Sequence, residues 1–284
     1  MNFALRTLVA TVVLLLLEAA RHISWGEAAS ALLVCTVLCW IAVRSRAAGA
    51  ELVATLAGFY FLLISVNTIP EGVLFDVIKV GQSPLMMVEQ SGIGLAIAGV
   101  IAVLFRPAQE KPKVAPEAGL TIFGLLWRLA AAVVVFAVCY LVAGMLIFPL
   151  VKSYYASRTM PGLGAIAAAQ VLRVLVLILA AWLVLRIVPK RRDARMILTV
   201  AFPVIGVLSL MLHPNEIMPP AVRWVHTMEM VPYYALFGFL LSAWFGPRRT
   251  DRGARLAESG VLAPCDSDES TSIARNASSS GTKR

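Results

Sequence analysis

The chain has 284 residues, 60% of them hydrophobic and 14% charged, with a mean hydropathy of +0.82 and a formal net charge of +9. Soluble domains are roughly half apolar and about a quarter charged, and disordered chains need low hydrophobicity with high net charge; both classes are excluded, and lipid is the expected solvent. The positive charge falls in short runs between apolar stretches with no nucleic-acid-binding motif, so it predicts membrane topology, with the lipid bilayer and not nucleic acid as partner.

Eight apolar runs bounded by charge follow one another, at about 3–20, 28–43, 51–69, 84–105, 122–148, 163–188, 196–212 and 224–245. They predict an all-α, polytopic transmembrane helical bundle of about eight spans; a β-barrel would show alternation, and these runs are continuously apolar. The second and seventh are short for a hydrocarbon core of about 30 Å at ~1.5 Å per residue. In the first run Arg6 precedes the apolar stretch Thr7 to Leu17, as in a signal peptide, but Glu18-Ala19-Ala20-Arg21 offers no small-x-small cleavage site. A retained anchor helix is expected; cleavage would leave seven spans.

Orientation follows from Lys and Arg. With the N-terminus inside, Arg6, Arg44, Arg46, Arg106, Lys111, Lys113, Arg186, Lys190, Arg191, Arg192 and Arg195 all fall on the inner side, against Arg21, Lys79, Lys152, Arg158 and Arg223 outside. This is the positive-inside pattern, and it predicts a multi-pass inner (plasma) membrane protein with both termini cytoplasmic. The stretch 107–119, with Pro107, Pro112 and Pro116, reads as a linker joining two four-helix halves, 1–106 and 120–246, of a transmembrane domain 1–246. From 247 to 284 the chain turns polar and predicts a disordered cytoplasmic tail.

The third run of each half ends in Asn, Pro and Glu: Asn67-Thr68-Ile69-Pro70-Glu71 and His213-Pro214-Asn215-Glu216. That fits either a parallel duplication or plain helix-end punctuation. Cys35, Cys39 and Cys139 sit in apolar runs and Cys265 in the tail; buried cysteine is a small hydrophobe, and neither disulfide nor cofactor is expected.

Ionisable groups inside a span are costly and mark candidate sites. Arg173 lies about ten residues, roughly 15 Å, into the sixth run, near the midplane, with Gln170 on the same face. Arg223, His226 and Glu229 form a polar stripe entering the eighth run from outside. Asn67 and Glu71 close the third run on one face, Glu18 closes the first, Glu89-Gln90 opens the fourth, and Tyr154 and Tyr155 follow Pro149. The expected lining of an outward-facing polar pocket is therefore Glu18, Asn67, Glu71, Arg173, Arg223, His226 and Glu229, with Tyr154 and Tyr155 at its mouth. The alternative is a set of ordinary interfacial residues. With three histidines and no HExxH pair a metal site is not expected, and no GxSxG elbow supports a serine hydrolase.

Three functions suit such a pocket. The first is a small permease or proton-coupled carrier for an unknown solute, in which Arg173 and Arg223 hold an anionic group or a carboxylate partner while Glu71, Glu229 and His226 exchange protons. The second is an enzyme acting on a lipid or lipid-linked substrate at the outer leaflet, with His226 or Glu229 as general base. The third is an assembly subunit whose charges pair helices. A cavity passing beyond Arg173 toward the cytoplasmic side would mark the carrier; one closed below Arg173 and open sideways to lipid would mark the enzyme.

Overall fold

The computed structural model describes residues 2–18, 24–75, 78–105, 121–156, 161–212 and 218–246, with the side chain of Glu18 excepted. The linker 107–119, the tail 247–284, Arg21, His213, Asn215, Glu216 and Cys265 lie outside the described residues. Among those described there is no strand; the chain is a bundle of eight helices. Seven are long and apolar enough to cross a membrane.

The helices are α1 (Phe3–Glu18), α2 (Trp25–Arg44), α3 (Gly49–Leu74), α4 (Val80–Leu104), α5 (Ile122–Tyr155), α6 (Leu163–Ile187), α7 (Arg191–Leu212) and α8 (Pro220–Phe245). The exception to spanning length is α1: its 16 residues reach about 24 Å, short of a ~30 Å core. It packs Ala10 and Leu14 against α2 and α4 and leaves Leu8, Val12 and Leu16 exposed.

The two runs that looked short are lengthened by their flanks. α2 begins at Trp25 because Ser24 and Glu27 form a reciprocal capping box, with Ser24 N donating to Glu27 (2.6 Å) and Glu27 N to the Ser24 hydroxyl (3.2 Å). α7 takes its basic first turn, Arg191 to Arg195, into the helix. In the opposite sense α5 runs through Pro149 to Tyr155, 34 residues in all.

α3 and α7 are both interrupted. Each carries a π-helical turn, Leu62–Val66 in α3 and Val204–Leu208 in α7, the second directly after Pro203, which has no N–H to donate. The two turns touch each other. Around them helices from before and after the linker share one core: α2 packs on α7, α3 on α6, and α8 on both α5 and α7. At the α7–α8 crossing a Cβ on Gly238 would stand 2.3 Å from the Leu198 carbonyl oxygen, so only glycine permits that approach.

Basic side chains gather where α2, α6 and α8 end and α3, α5 and α7 begin. Arg44 pairs with Asp193 (3.3 Å) and Arg186 with Glu51 (3.7 Å). Arg46 donates to the Arg186 carbonyl (2.9 Å), Arg191 to that of Ala243 (3.1 Å), and Arg128 to that of Trp244. Cations at helix C-terminal carbonyls are favourably placed against the helix dipole. The candidate site occupies the other end.

Candidate functional site

Arg173 of α6 is 4% exposed, and a guanidinium that deep requires partners. One terminal nitrogen donates to Gln170 Oε1 (3.1 Å), one turn earlier on the same helix; the other donates to the Glu71 carboxylate. Glu71 can reach it because of the π turn. The extra residue there rotates the succeeding part of α3 by about 100°, and Pro70 opens a fresh helical turn, Ile69–Leu74, that carries Glu71. Asn67, at the end of the π turn, is 5% exposed and accepts a hydrogen bond from the Tyr234 hydroxyl (3.3 Å). Gly206 in the facing π turn sits against the same ring: a Cβ there would lie 3.2 Å from Tyr234 Cε1.

A second polar chain comes from α8 and α5. The Glu229 carboxylate lies 2.9 Å from His226 Nδ1, and the Tyr155 hydroxyl lies 2.9 Å from His226 Nε2. An ionised carboxylate only accepts, so Nδ1 carries the ring proton; in the neutral ring Nε2 is then the acceptor, and Tyr155 donates to it. Glu229 is 6% exposed. Tyr155 reaches this position because α5 continues beyond Pro149, and its ring is edge-on to that of Tyr154, with centroids 5.1 Å apart.

Both chains face one cavity of about 440 Å³. α3 contributes Asn67, Thr68, Glu71 and Gly72, with Phe75 just after it; α4 contributes Met86; α5 contributes Tyr140, Tyr154 and Tyr155; α6 contributes Arg173; α7 contributes Gly206, Leu210 and Met211; α8 contributes His226, Glu229, Met230 and Tyr233. Ile78 and Met218 complete the rim. The Thr68 hydroxyl has no hydrogen-bond partner among the described residues. The deepest lining residues on four helices are Asn67, Arg173, Gly206 and Tyr233. Beneath them come fully buried side chains: Leu63 and Phe59, Val174 and Leu177, Ile205 and Phe202, Tyr234 and Phe237. The cavity therefore stops at the level of Arg173. At its side, α4 packs on α1, α2 and α3, and α5 on α6 and α8, with no extended packing between α4 and α5 among the described residues.

Of the residues expected to line a pocket, Asn67, Glu71, Tyr154, Tyr155, Arg173, His226 and Glu229 come together in this one cavity. Arg223 does not line it; it lies one turn before His226 on α8, where its carbonyl accepts from the Thr227 hydroxyl (2.8 Å). Glu18 is at the end of α1, its side chain outside the description. Gln90 instead accepts from Tyr60 (2.9 Å), away from the cavity. Sequence reasoning missed Tyr140, Tyr233, Tyr234, Thr68 and the methionines. Tyr233 was within reach, because it stands four residues after Glu229 and seven after His226, on the stripe already recognised. Among the described residues no three His, Cys, Asp or Glu side chains gather as metal ligands.

The helices make this a polytopic membrane protein. Comparison with protein-family models, with curated proteins and with solved structures finds no match to the chain.

Proposed function

We propose that the protein is a membrane-embedded enzyme acting on a lipid or lipid-linked substrate, with His226 as general base. The observation that carries this reading is a cavity closed beneath Arg173 that presents an oriented Tyr155–His226–Glu229 chain to its interior. Glu229 fixes the ring so that Nε2 faces Tyr155 with its lone pair. A substrate hydroxyl or a water that takes up the hydrogen bond to Nε2 gives its proton to Nε2 as its oxygen attacks an ester centre of the lipid; the bond to the ester's leaving oxygen breaks, and the imidazolium, stabilised by Glu229, returns the proton to that oxygen. The Glu71–Arg173 pair holds the floor in place. Two walls without mutual packing, α4 and α5, leave a side route for acyl chains. With the arginine-bearing end at the cytoplasm, the cavity opens in the outer leaflet.

The test is conversion of lipid. The purified chain is reconstituted with total polar lipid extract from a bacterial membrane, and lipid species are followed by mass spectrometry. A new species should appear in proteoliposomes and not in protein-free vesicles, and His226→Ala or Glu229→Gln should slow it by about 10²–10⁴-fold. An unchanged lipid profile with well-folded protein would refute the enzyme reading.

One observation favours the carrier. α3 and α7 are interrupted at corresponding places, their π turns touch, and both border the cavity floor. Paired broken helices are a mark of transport sites, where such turns serve as hinges. Proton-driven flux of a small solute, lost in Glu71→Gln, would select that reading.

A further inference from the structure

We infer that the cavity grips its substrate by an ammonium group. The inference rests on the cavity being a substrate pocket, as proposed above, and names the chemistry that it recognises. Both terminal nitrogens of Arg173 are engaged within the protein, one by Gln170 and one by Glu71, while its Nε has no hydrogen-bond partner among the described residues. The ionisable side chains that line the cavity include two carboxylates, Glu71 against Arg173 and Glu229 against His226. In so apolar a setting charges interact far more strongly than in water, so an ammonium finds its partners in the Glu71 and Glu229 carboxylates. Among the described residues no lysine lines the cavity.

The rest of the lining suits the same ligand. Tyr140, Tyr154, Tyr155, Tyr233 and Phe75 surround the carboxylates, and aromatic faces attract ammonium groups, quaternary ones included. Four methionines add soft, polarizable surface against which N-methyl or methylene groups pack. The Thr68 hydroxyl, without a partner among the described residues and three residues before Glu71, is an acceptor for an N–H of a primary ammonium. A space of 440 Å³ accommodates a headgroup and leaves the acyl chains outside it, toward the gap between α4 and α5. The ammonium comes either from a lipid headgroup or from a small soluble amine.

Native mass spectrometry of the purified full chain in a nonionic detergent tests this. The probes are dihexanoyl phosphatidylethanolamine, phosphatidylcholine and phosphatidylglycerol, and free choline. The two ammonium lipids should be retained about tenfold more tightly than phosphatidylglycerol, and Glu229→Gln should abolish the preference. Tyr140→Leu, outside the hydrogen-bonded chain, should weaken phosphatidylcholine most, which keeps the test valid if Glu229→Gln does not fold. Competition by free choline assigns a soluble amine as the source, and its failure assigns the lipid; both outcomes support ammonium recognition. Phosphatidylglycerol bound as tightly as the others, or a preference that survives both variants, would overturn it. Ammonium lipids that bind without being converted would leave this inference standing and remove the enzyme reading; conversion of phosphatidylglycerol alone would do the reverse.

Discussion

Replacing Glu71 by glutamine should destabilise the fold more than replacing Arg173 by methionine, although the two side chains share one ion pair. In Glu71→Gln the guanidinium stays, 4% exposed and unable to give up its proton, with a neutral amide where its counter-charge had been. Removing one partner of a buried pair costs about 3–5 kcal/mol. In Arg173→Met the residue left alone is Glu71, whose side chain is 29% exposed; it meets water and can take a proton, so the cost should fall to about 1–2 kcal/mol. The double variant Glu71→Gln with Arg173→Met should recover most of the loss in Glu71→Gln, down to about 1 kcal/mol, giving a coupling of about 3–6 kcal/mol in a double-mutant cycle. Equilibrium unfolding in detergent micelles, read by near-ultraviolet circular dichroism, supplies all four corners of that cycle. If the two single variants unfold together, or if the double variant is the least stable, then the pair does not hold the floor as described.

Gly238→Ala should force α7 and α8 apart at the Leu198 carbonyl and lower the melting temperature by the equivalent of about 1–3 kcal/mol; Gly99→Ala, with nothing within 4 Å of its added carbon, is the control and should melt like the wild type. A Gly238→Ala protein as stable as the control would contradict the close crossing. Ser24→Ala removes the capping box at the start of α2 and should cost about 1 kcal/mol in the same unfolding assay, with protection of the first turn of α2 lost in hydrogen exchange; unchanged exchange there would argue against the cap. Gly206→Ala brings a carbon to 3.2 Å from the Tyr234 ring and should weaken the Tyr234–Asn67 hydrogen bond, visible as a shift in the tyrosine ultraviolet resonance Raman doublet. No shift would mean that the ring has room to move.

Most of the helices were legible because lipid imposes a single rule: a long run without charge must be helical, since no other structure satisfies its backbone there. The rule says less about ends. α5 was expected to stop near 148, where the apolar run ends, yet it continues through Pro149 for a further two turns, with Val151 buried. α7 was expected to begin after its arginines, but charged residues are good helix formers once outside the hydrocarbon. Arg173 and the His226–Glu229 stripe were visible as costs that the chain would bear only for a reason. The π turns were not visible, because a single extra residue per turn leaves no mark in composition. Arg223 shared the stripe's spacing and still fell outside the cavity: helical phase gives the face of a residue, while its depth decides what it borders.

The length of α5 has a consequence of its own. Its 34 residues amount to about 51 Å of helix, and even at a steep tilt of ~40° they would rise about 39 Å, well beyond a ~30 Å hydrocarbon layer. Part of the helix must therefore stand in the zone of phosphates and glycerols. If the surplus falls at its closing turns, Tyr154 and Tyr155 are held at the height where polar lipid heads already reside. A phospholipid drifting in that leaflet would then meet the tyrosines by lateral diffusion alone, its tails never leaving the oil.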